Sequence, residues 1–295
     1  MSLLIQISDT HFGTEQTDVV EALARLIREQ SPDVVVLSGD ITQRARRSQF
    51  AAARAFVDSL APTPLVAIPG NHDIPLFNVG LRLLAPYANY RRAFGEELEP
   101  EFEQPHLLVV TVNTTRPYKH SDGEVSPAQI QRVAARLEAS PASQLRIVVT
   151  HQPICALLPE DECNVLHGSA AAVRRWAEAG ADLILGGHIH LPYVCALHER
   201  HDKLARRLWA VQAGTAVSSR VRHGAGNSVN LIRYGDGVGD GVGVGDGVGD
   251  GGPMSCAVER WDYQHHTRHF MPVNVVALDL DRNAAHGTAN KFSND

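Results

Sequence analysis

The sequence predicts an α/β protein built on a largely parallel sheet. Three observations carry this. The first 73 residues run strand, helix, strand, helix, strand, the pattern that right-handed crossovers fold into parallel strands. The apolar runs are short and are punctuated by proline or glycine. Each ends in a polar residue, and in such sheets sites form beyond the carboxyl ends of the strands.

Residues 3–8 form the first strand, which ends in Asp9-Thr10-His11. Residues 18–30 read as an amphipathic helix with Val19, Leu23, Leu26 and Ile27 on one face, and Pro32 breaks it. Residues 33–38 are a buried strand ending in Gly39-Asp40. A second helix spans 49–60, and Pro62 and Pro64 precede the strand at 64–69. That strand leads into Gly70-Asn71-His72-Asp73, where glycine is expected to let the backbone turn tightly. Residues 80–105 read as helix and loop, with Tyr87, Tyr90 and Phe94 as packing aromatics. A strand follows at 106–113. Ser126 caps a helix that has Pro127 in its first turn and runs over 128–137. The strand at 145–150 ends in His151-Gln152-Pro153. A helix at 169–179 is closed by Gly180, and the strand at 182–185 ends in Gly186-Gly187-His188-Ile189-His190. Thereafter residues 208–213, 229–234, 257–263 and 269–271 read as strands with no helices between them, and are expected to add a second sheet.

Residues 235–252 repeat glycine, aspartate and valine. Such a stretch cannot bury a core, and the spacing of Asp236, Asp240, Asp246 and Asp250 matches neither a calcium β-helix nor an EF-hand. It is read as a flexible insertion at a hairpin tip, and residues 286–295 as a disordered tail, within a single domain spanning the 295 residues.

The composition narrows the function. There are 27 Lys+Arg against 33 Asp+Glu, a net charge of −6, so no basic excess argues for a nucleic-acid polymer as partner. No apolar run approaches the ~18 residues that span a bilayer, no signal peptide is visible, and no membrane partner is expected. The cysteines (155, 163, 195 and 256) are scattered, as in a cytoplasmic protein with reduced thiols. A homodimer is left open.

Five strand ends therefore carry Asp9-x-His11, Gly39-Asp40, Gly70-Asn71-His72, His151 and His188-x-His190. Together they hold two carboxylates, one amide and five imidazoles. Oxygen and imidazole ligands without thiolate suit Mn, Fe or Zn. Eight groups exceed the needs of one ion, so the economical reading is two metals about 3.5–4 Å apart sharing one aspartate. Residues two apart on an extended segment point the same way, so both members of Asp-x-His and His-x-His can face one site.

The order Asp-x-His, Gly-Asp, Gly-Asn-His-Asp, His, Gly-His-x-His over residues 9–190 resembles the calcineurin-like metallophosphoesterase superfamily. The resemblance implies a four-layer α/β/β/α sandwich with two mixed sheets. It implies that Asp9, His11 and His190 hold one metal, that Asn71, His151 and His188 hold the other, and that Asp40 bridges them. His72 would be the catalytic histidine, contacting phosphate and protonating the leaving oxygen, with His11 and Asn71 beside it at the substrate. Residues 212–222, which include Arg220 and Arg222, resemble more loosely the bacterial class III cyclic-nucleotide phosphodiesterases. The function implied is hydrolysis of a small phosphodiester, a cyclic nucleotide such as cyclic AMP foremost. A broad phosphodiesterase, a phosphomonoesterase and a non-catalytic scaffold are the alternatives. Arg220 and Arg222 are candidates for a nucleotide phosphate. Gln152 departs from relatives that carry a second histidine there. Cys155 lies near His151, but short loop spacing is no evidence of an activated thiolate.

Overall fold

The structure, a computed structural model, describes residues 1–222, 224–236 and 254–281. The first apolar run is β1 (Ser2–Ile7), followed by α1 (Thr17–Gln30), β2 (Val34–Leu37), α2 (Arg47–Asp58) and β3 (Leu65–Ala67). After a 3-10 turn at Asn71–Asp73 come α3 (Val79–Leu84), α4 (Ala88–Phe94), β4 (Glu101–Gln104) and β5 (Leu107–Thr111). The chain continues through α5 (Pro127–Glu138), β6 (Leu145–Val149), α6 (Ser169–Ala179), β7 (Leu183–Gly186) and β8 (Tyr193–Ala196). A single turn at Leu197–Arg200 leads to β9 (Trp209–Gln212), β10 (Ser228–Asp236), β11 (Met254–Gln264) and β12 (His269–Leu278).

These strands make two mixed six-stranded sheets, ordered β12-β11-β10-β1-β2-β3 and β4-β5-β6-β7-β9-β8. The apolar runs are continuous because both faces of the central strands are covered. Along β2, Val35 and Leu37 pack outward under α1 and α2, while Val34 and Val36 face the other sheet. Along β6 and β7, Val148 and Ile184 pack under α5 and α6, while Ile147, Val149, Leu183 and Leu185 meet the first sheet. Three apolar cores thus separate four layers, helix, sheet, sheet and helix, as the resemblance implied.

The C-terminal strands do not make a sheet of their own, contrary to the expectation from sequence: one joins the second sheet and three extend the first. The second sheet is already under way at β4. β9 inserts into it between β7 and β8, parallel to the first and antiparallel to the second. β10 pairs antiparallel with β1, and β11 and β12 extend the first sheet beyond it. Periodicity marks a strand but not its partner, which is why this assignment failed. β12 also runs past Pro272, which lies opposite a register shift at Arg260/Trp261 on an edge strand, where a missing N–H is tolerated. β4 and β8 were not anticipated, since both are four residues long and β4 is mostly polar. The glycine/aspartate/valine stretch from 237 and the tail from 286 lie outside the described residues. Asp236 and Met254, on either side of the former, are register partners.

A buried polar seam joins the sheets below the site. The Gln6 side chain donates to the Gly186 carbonyl at 2.9 Å and accepts from Asn230 at 3.0 Å; Asn230 also donates to the Gln212 carbonyl. Gln6 and Asn230 belong to the first sheet, Gly186 and Gln212 to the second.

Candidate metal centre

All eight side chains singled out in the sequence converge at the carboxyl ends of β1, β2, β3, β6 and β7. Six of them fall into two groups of ligand-type atoms, Asp9/His11/His190 and Asp40/His151/His188, with Asn71 and His72 alongside. In the first, His190 Nε2 lies 3.3 Å from Asp9 Oδ1 and 3.1 Å from His11 Nε2. In the second, His151 Nε2 lies 3.2 Å from Asp40 Oδ1 and 3.2 Å from Asn71 Oδ1. Asp40 faces both: its Oδ2 is 3.8 Å from His11 Nε2, while its Oδ1 meets His151.

The backbone is bent to achieve this. Asp9, His11, Asp40, His188 and His190 all have left-handed φ, between 41° and 75°. Such conformations are uncommon for residues other than glycine, cost of the order of 1–3 kcal/mol each, and cluster at functional sites. Gly39 takes φ +99°, and a Cβ there would lie 2.4 Å from His151 Nδ1. Gly70 is needed for a different reason from the one expected. Its φ of −97° is open to any residue, so it makes no special turn. A Cβ at Gly70 would sit 2.0 Å from the Asp40 nitrogen, so glycine is there for close approach.

Hydrogen bonds fix the imidazoles. His151 Nδ1–H donates to the Ser38 carbonyl at 2.9 Å and His190 Nδ1–H to the Arg220 carbonyl at 2.6 Å, leaving each Nε2 toward the centre. The buried Nδ1 atoms of His11 and His188 have no hydrogen-bond partner among the described residues. The fit to a metal pair rests on the donor set: each group offers one carboxylate and two imidazole atoms within 4.8 Å of one another, and His11 faces Asp40 and His190 through Nε2. Asp73 accepts from the Ile41, Thr42 and Gly70 nitrogens and from the Thr42 hydroxyl, so it ties the Asp40 loop to the Asn71 turn.

Burial raises Asp9, but the adjacent His190 overrides it and holds the carboxyl at about 2. Burial likewise opposes ionisation of Asp40, yet His151 and His72 keep it well below the usual carboxylate range. Desolvation pushes His11 down to about 3 and His188 to about 4, against the pull of the aspartates. His151 is also buried, but Asp40 raises it to about 9, and Asp9 raises His190. Asp73 is pushed up to about 6 by burial and by the Asp40 charge.

A pocket of about 610 Å³ opens over both groups. His72 sits on its floor with Nδ1–H on the Gln43 carbonyl at 3.0 Å, and its ring lies edge-on to His11 at 4.9 Å. The Arg220 guanidinium reaches the Gln43 side chain at 2.9 Å and His72 Nε2 at 3.4 Å. Arg222 lines the same pocket but is held by both oxygens of Asp161 at 2.8 Å and by Glu160. Sequence reading missed Gln43, His120, Ser121, Asp161 and Asn164, which line the walls from loops without a motif. Gln152 is buried, accepts from the Thr114 hydroxyl and donates to the Ser121 carbonyl, so it braces a pocket wall. Cys155 is no nucleophile here: its thiol hydrogen-bonds Cys195, and this together with burial pushes it far above the ordinary thiol range.

Residues 3–192 match the family described as calcineurin-like phosphoesterase. The chain belongs to the calcineurin-like phosphoesterase family. It is 39% identical over 84 residues to the glycerophosphodiester phosphodiesterase of Enterobacter lignolyticus, a match over 24% of this chain and 29% of that protein's length. It is 22% identical over 201 residues to a Synechococcus protein named as a probable cyclic nucleotide phosphodiesterase, a match over 65% of this chain and 74% of that one. In fold it is similar to a dimetal phosphatase from Danio rerio, with TM-score 0.62 and 14% identity over 95% of this chain and 99% of that one. This calcineurin-like phosphoesterase thus carries two candidate His/Asp metal sites, and among its described residues no helix is long and apolar enough to cross a membrane.

Proposed function

We propose that the chain is a two-metal phosphodiesterase that hydrolyses a small phosphodiester, a 3',5'-cyclic nucleotide such as cyclic AMP foremost. The observation that carries this is Asp40, whose two carboxylate oxygens each face a different histidine group. Asp9, His11 and His190 would hold one ion of the Mn, Fe or Zn class, and Asn71, His151 and His188 the other. A bound pair supplies Lewis acidity that lowers the pKa of water and neutralises charge on the phosphoryl group. His72, with Nδ1–H fixed on a carbonyl, turns Nε2 toward Arg220 and the pocket, where it would contact phosphate and pass a proton to the leaving oxygen. His11 and Asn71 flank it at the substrate. Arg220, 3.4 Å from that Nε2, adds a fixed positive charge beside the phosphate. Arg222, held by two carboxylates, instead shapes the wall. The cyclic-nucleotide substrate is supported by the name of the Synechococcus relative and by the loose likeness of residues 212–222. The activity belongs to a single domain.

The test is hydrolysis by protein reconstituted with Mn, Fe or Zn, comparing cyclic AMP, cyclic GMP, a chromogenic diester and a chromogenic monoester. Turnover of a cyclic nucleotide well above the chromogenic compounds is expected. Turnover of the chromogenic diester alone removes the cyclic nucleotide, turnover of the monoester alone removes the diesterase, and none with any metal favours a scaffold.

A further inference from the structure

The helix α3 is inside out. A short surface helix normally turns its apolar face inward and its charges to water. Here no residue of α3 is buried, and Val79, Leu83 and Leu84 are 63%, 70% and 89% exposed. Val79 and Leu83 are four apart and share a face, and Leu84 adjoins it. The one charged residue of the helix, Arg82, folds back to donate to the Pro75 and Lys119 carbonyls at 3.3 and 2.6 Å. Phe77, just before the helix, is 79% exposed, and Tyr118, beside Lys119, is exposed as well. An apolar patch of five large side chains therefore faces outward on one side of the pocket mouth.

The surroundings of the patch say what covers it. Arg44, Arg46 and Arg47 line one hollow with Phe77 and Leu81, and no residue lining that hollow is acidic. All three arginines are exposed, and no ion pair among the described residues engages them. The Arg44 guanidinium lies over the Phe77 ring at 5.3 Å, so charge and apolar surface form one face. The chain as a whole carries −6, so this is a local reversal of sign. A second copy docked here about a two-fold axis would set arginines against arginines. Apolar side chains ringed by cations complement a surface that is anionic outside and apolar within.

We propose that the face formed by Phe77, α3 and Arg44–Arg46–Arg47 docks on an anionic phospholipid bilayer, with Leu83 and Leu84 entering the headgroup layer and the arginines on lipid phosphates. The active-site pocket shares Arg44 and Leu76 with this face, so docking sets its mouth beside the lipid surface. The expectation of no membrane partner came from the lack of a spanning run and of a signal peptide. Neither bears on a peripheral patch that total charge averages away.

The experiment is co-sedimentation of the full chain with phosphatidylcholine vesicles, with and without phosphatidylglycerol, at low and high salt. Wild-type protein should partition onto the anionic vesicles at least about tenfold more than onto neutral ones, and less at high salt. Leu83→Glu/Leu84→Glu and, separately, Arg46→Glu/Arg47→Glu should each weaken that partition at least about tenfold while melting temperature stays at the wild-type value. No partition of wild type onto anionic vesicles, or equal partition in both variants, overturns the proposal. So does a concentration-dependent dimer that the Leu83/Leu84 variant dissolves, since the patch then belongs to a second copy. The readout needs no turnover, so it stands apart from the proposed catalytic activity.

Discussion

Two histidines one ångström-scale contact apart from the centre are tied to carbonyls in the same way, yet do different work. His151 and His72 each give Nδ1–H to a backbone oxygen, but His151 Nε2 meets Asp40 and Asn71, whereas His72 Nε2 meets Arg220. Replacing His72 with Ala is therefore expected to leave metal content near wild type, measured by elemental analysis, while kcat falls about 10²- to 10⁴-fold. Asp40→Ala should instead lose metal and activity together, because both groups share its oxygens. Protons compete for the same imidazoles. In metal-free protein Asp40 raises His151 to about 9, so at neutral pH it is protonated and metal must displace that proton, and Asp9 shifts His190 in the same direction. Metal affinity followed by calorimetry in buffers of different ionisation enthalpy should rise from pH 6.5 to 9 with proton release. For the metal-free fold the signs divide. His151, raised above 6.5, contributes stability that is complete below 6.5 and lost as pH climbs through about 9. His11 and His188, lowered to about 3 and 4, contribute stability that is present above 6.5 and lost as pH falls toward those values. Asp73, raised to about 6, works the other way in acid, one group against two. Thermal melts of metal-free protein should thus peak near pH 6.5. The motif residues were legible because strand-end spacing is local. Gln43 was not, because it lies outside every motif: its main-chain carbonyl holds His72 and its side chain holds Arg220, neither of which spacing reveals.

At the scale of elements, strands and helices of the first 73 residues were legible from apolar runs and breakers, and α5 from its Ser126 cap, which accepts from the Gln129 nitrogen. Pairing was not, since β9 inserts between β7 and β8 and β10 reaches back to β1 across more than two hundred residues. Gln6 shows what that costs the reader of a sequence. In a strand of Leu and Ile it looks like an interruption, whereas in the fold it bonds to partners on both sheets. Gln6→Leu would remove one hydrogen bond each from the Gly186 carbonyl, which keeps the Ala213 nitrogen, and the Asn230 amide, which keeps the Gln212 carbonyl. A loss of about 1–3 kcal/mol by denaturant melts is expected, the cost of two buried hydrogen bonds.

At the scale of the whole molecule, residues 237–253 connect the paired ends of two neighbouring strands. Asp236 and Met254 pair at the end of β10 and β11, far along the sheet edge from the metal centre's strand ends. Replacing residues 237–253 with a two-residue turn is expected to keep turnover and melting temperature at wild-type values. A clear drop in either would assign that stretch a structural role.

Neither sheet owns a complete metal group. The loops of the first sheet bring Asp9, His11, Asp40 and Asn71, and those of the second bring His151, His188 and His190. The two closest carboxylate–imidazole contacts of the centre, His190 to Asp9 and His151 to Asp40, span the gap between them. Sliding of one sheet over the other would change those separations. Metal affinity is accordingly expected to report small shifts between the two halves, and denaturant should weaken metal binding before it unfolds the protein.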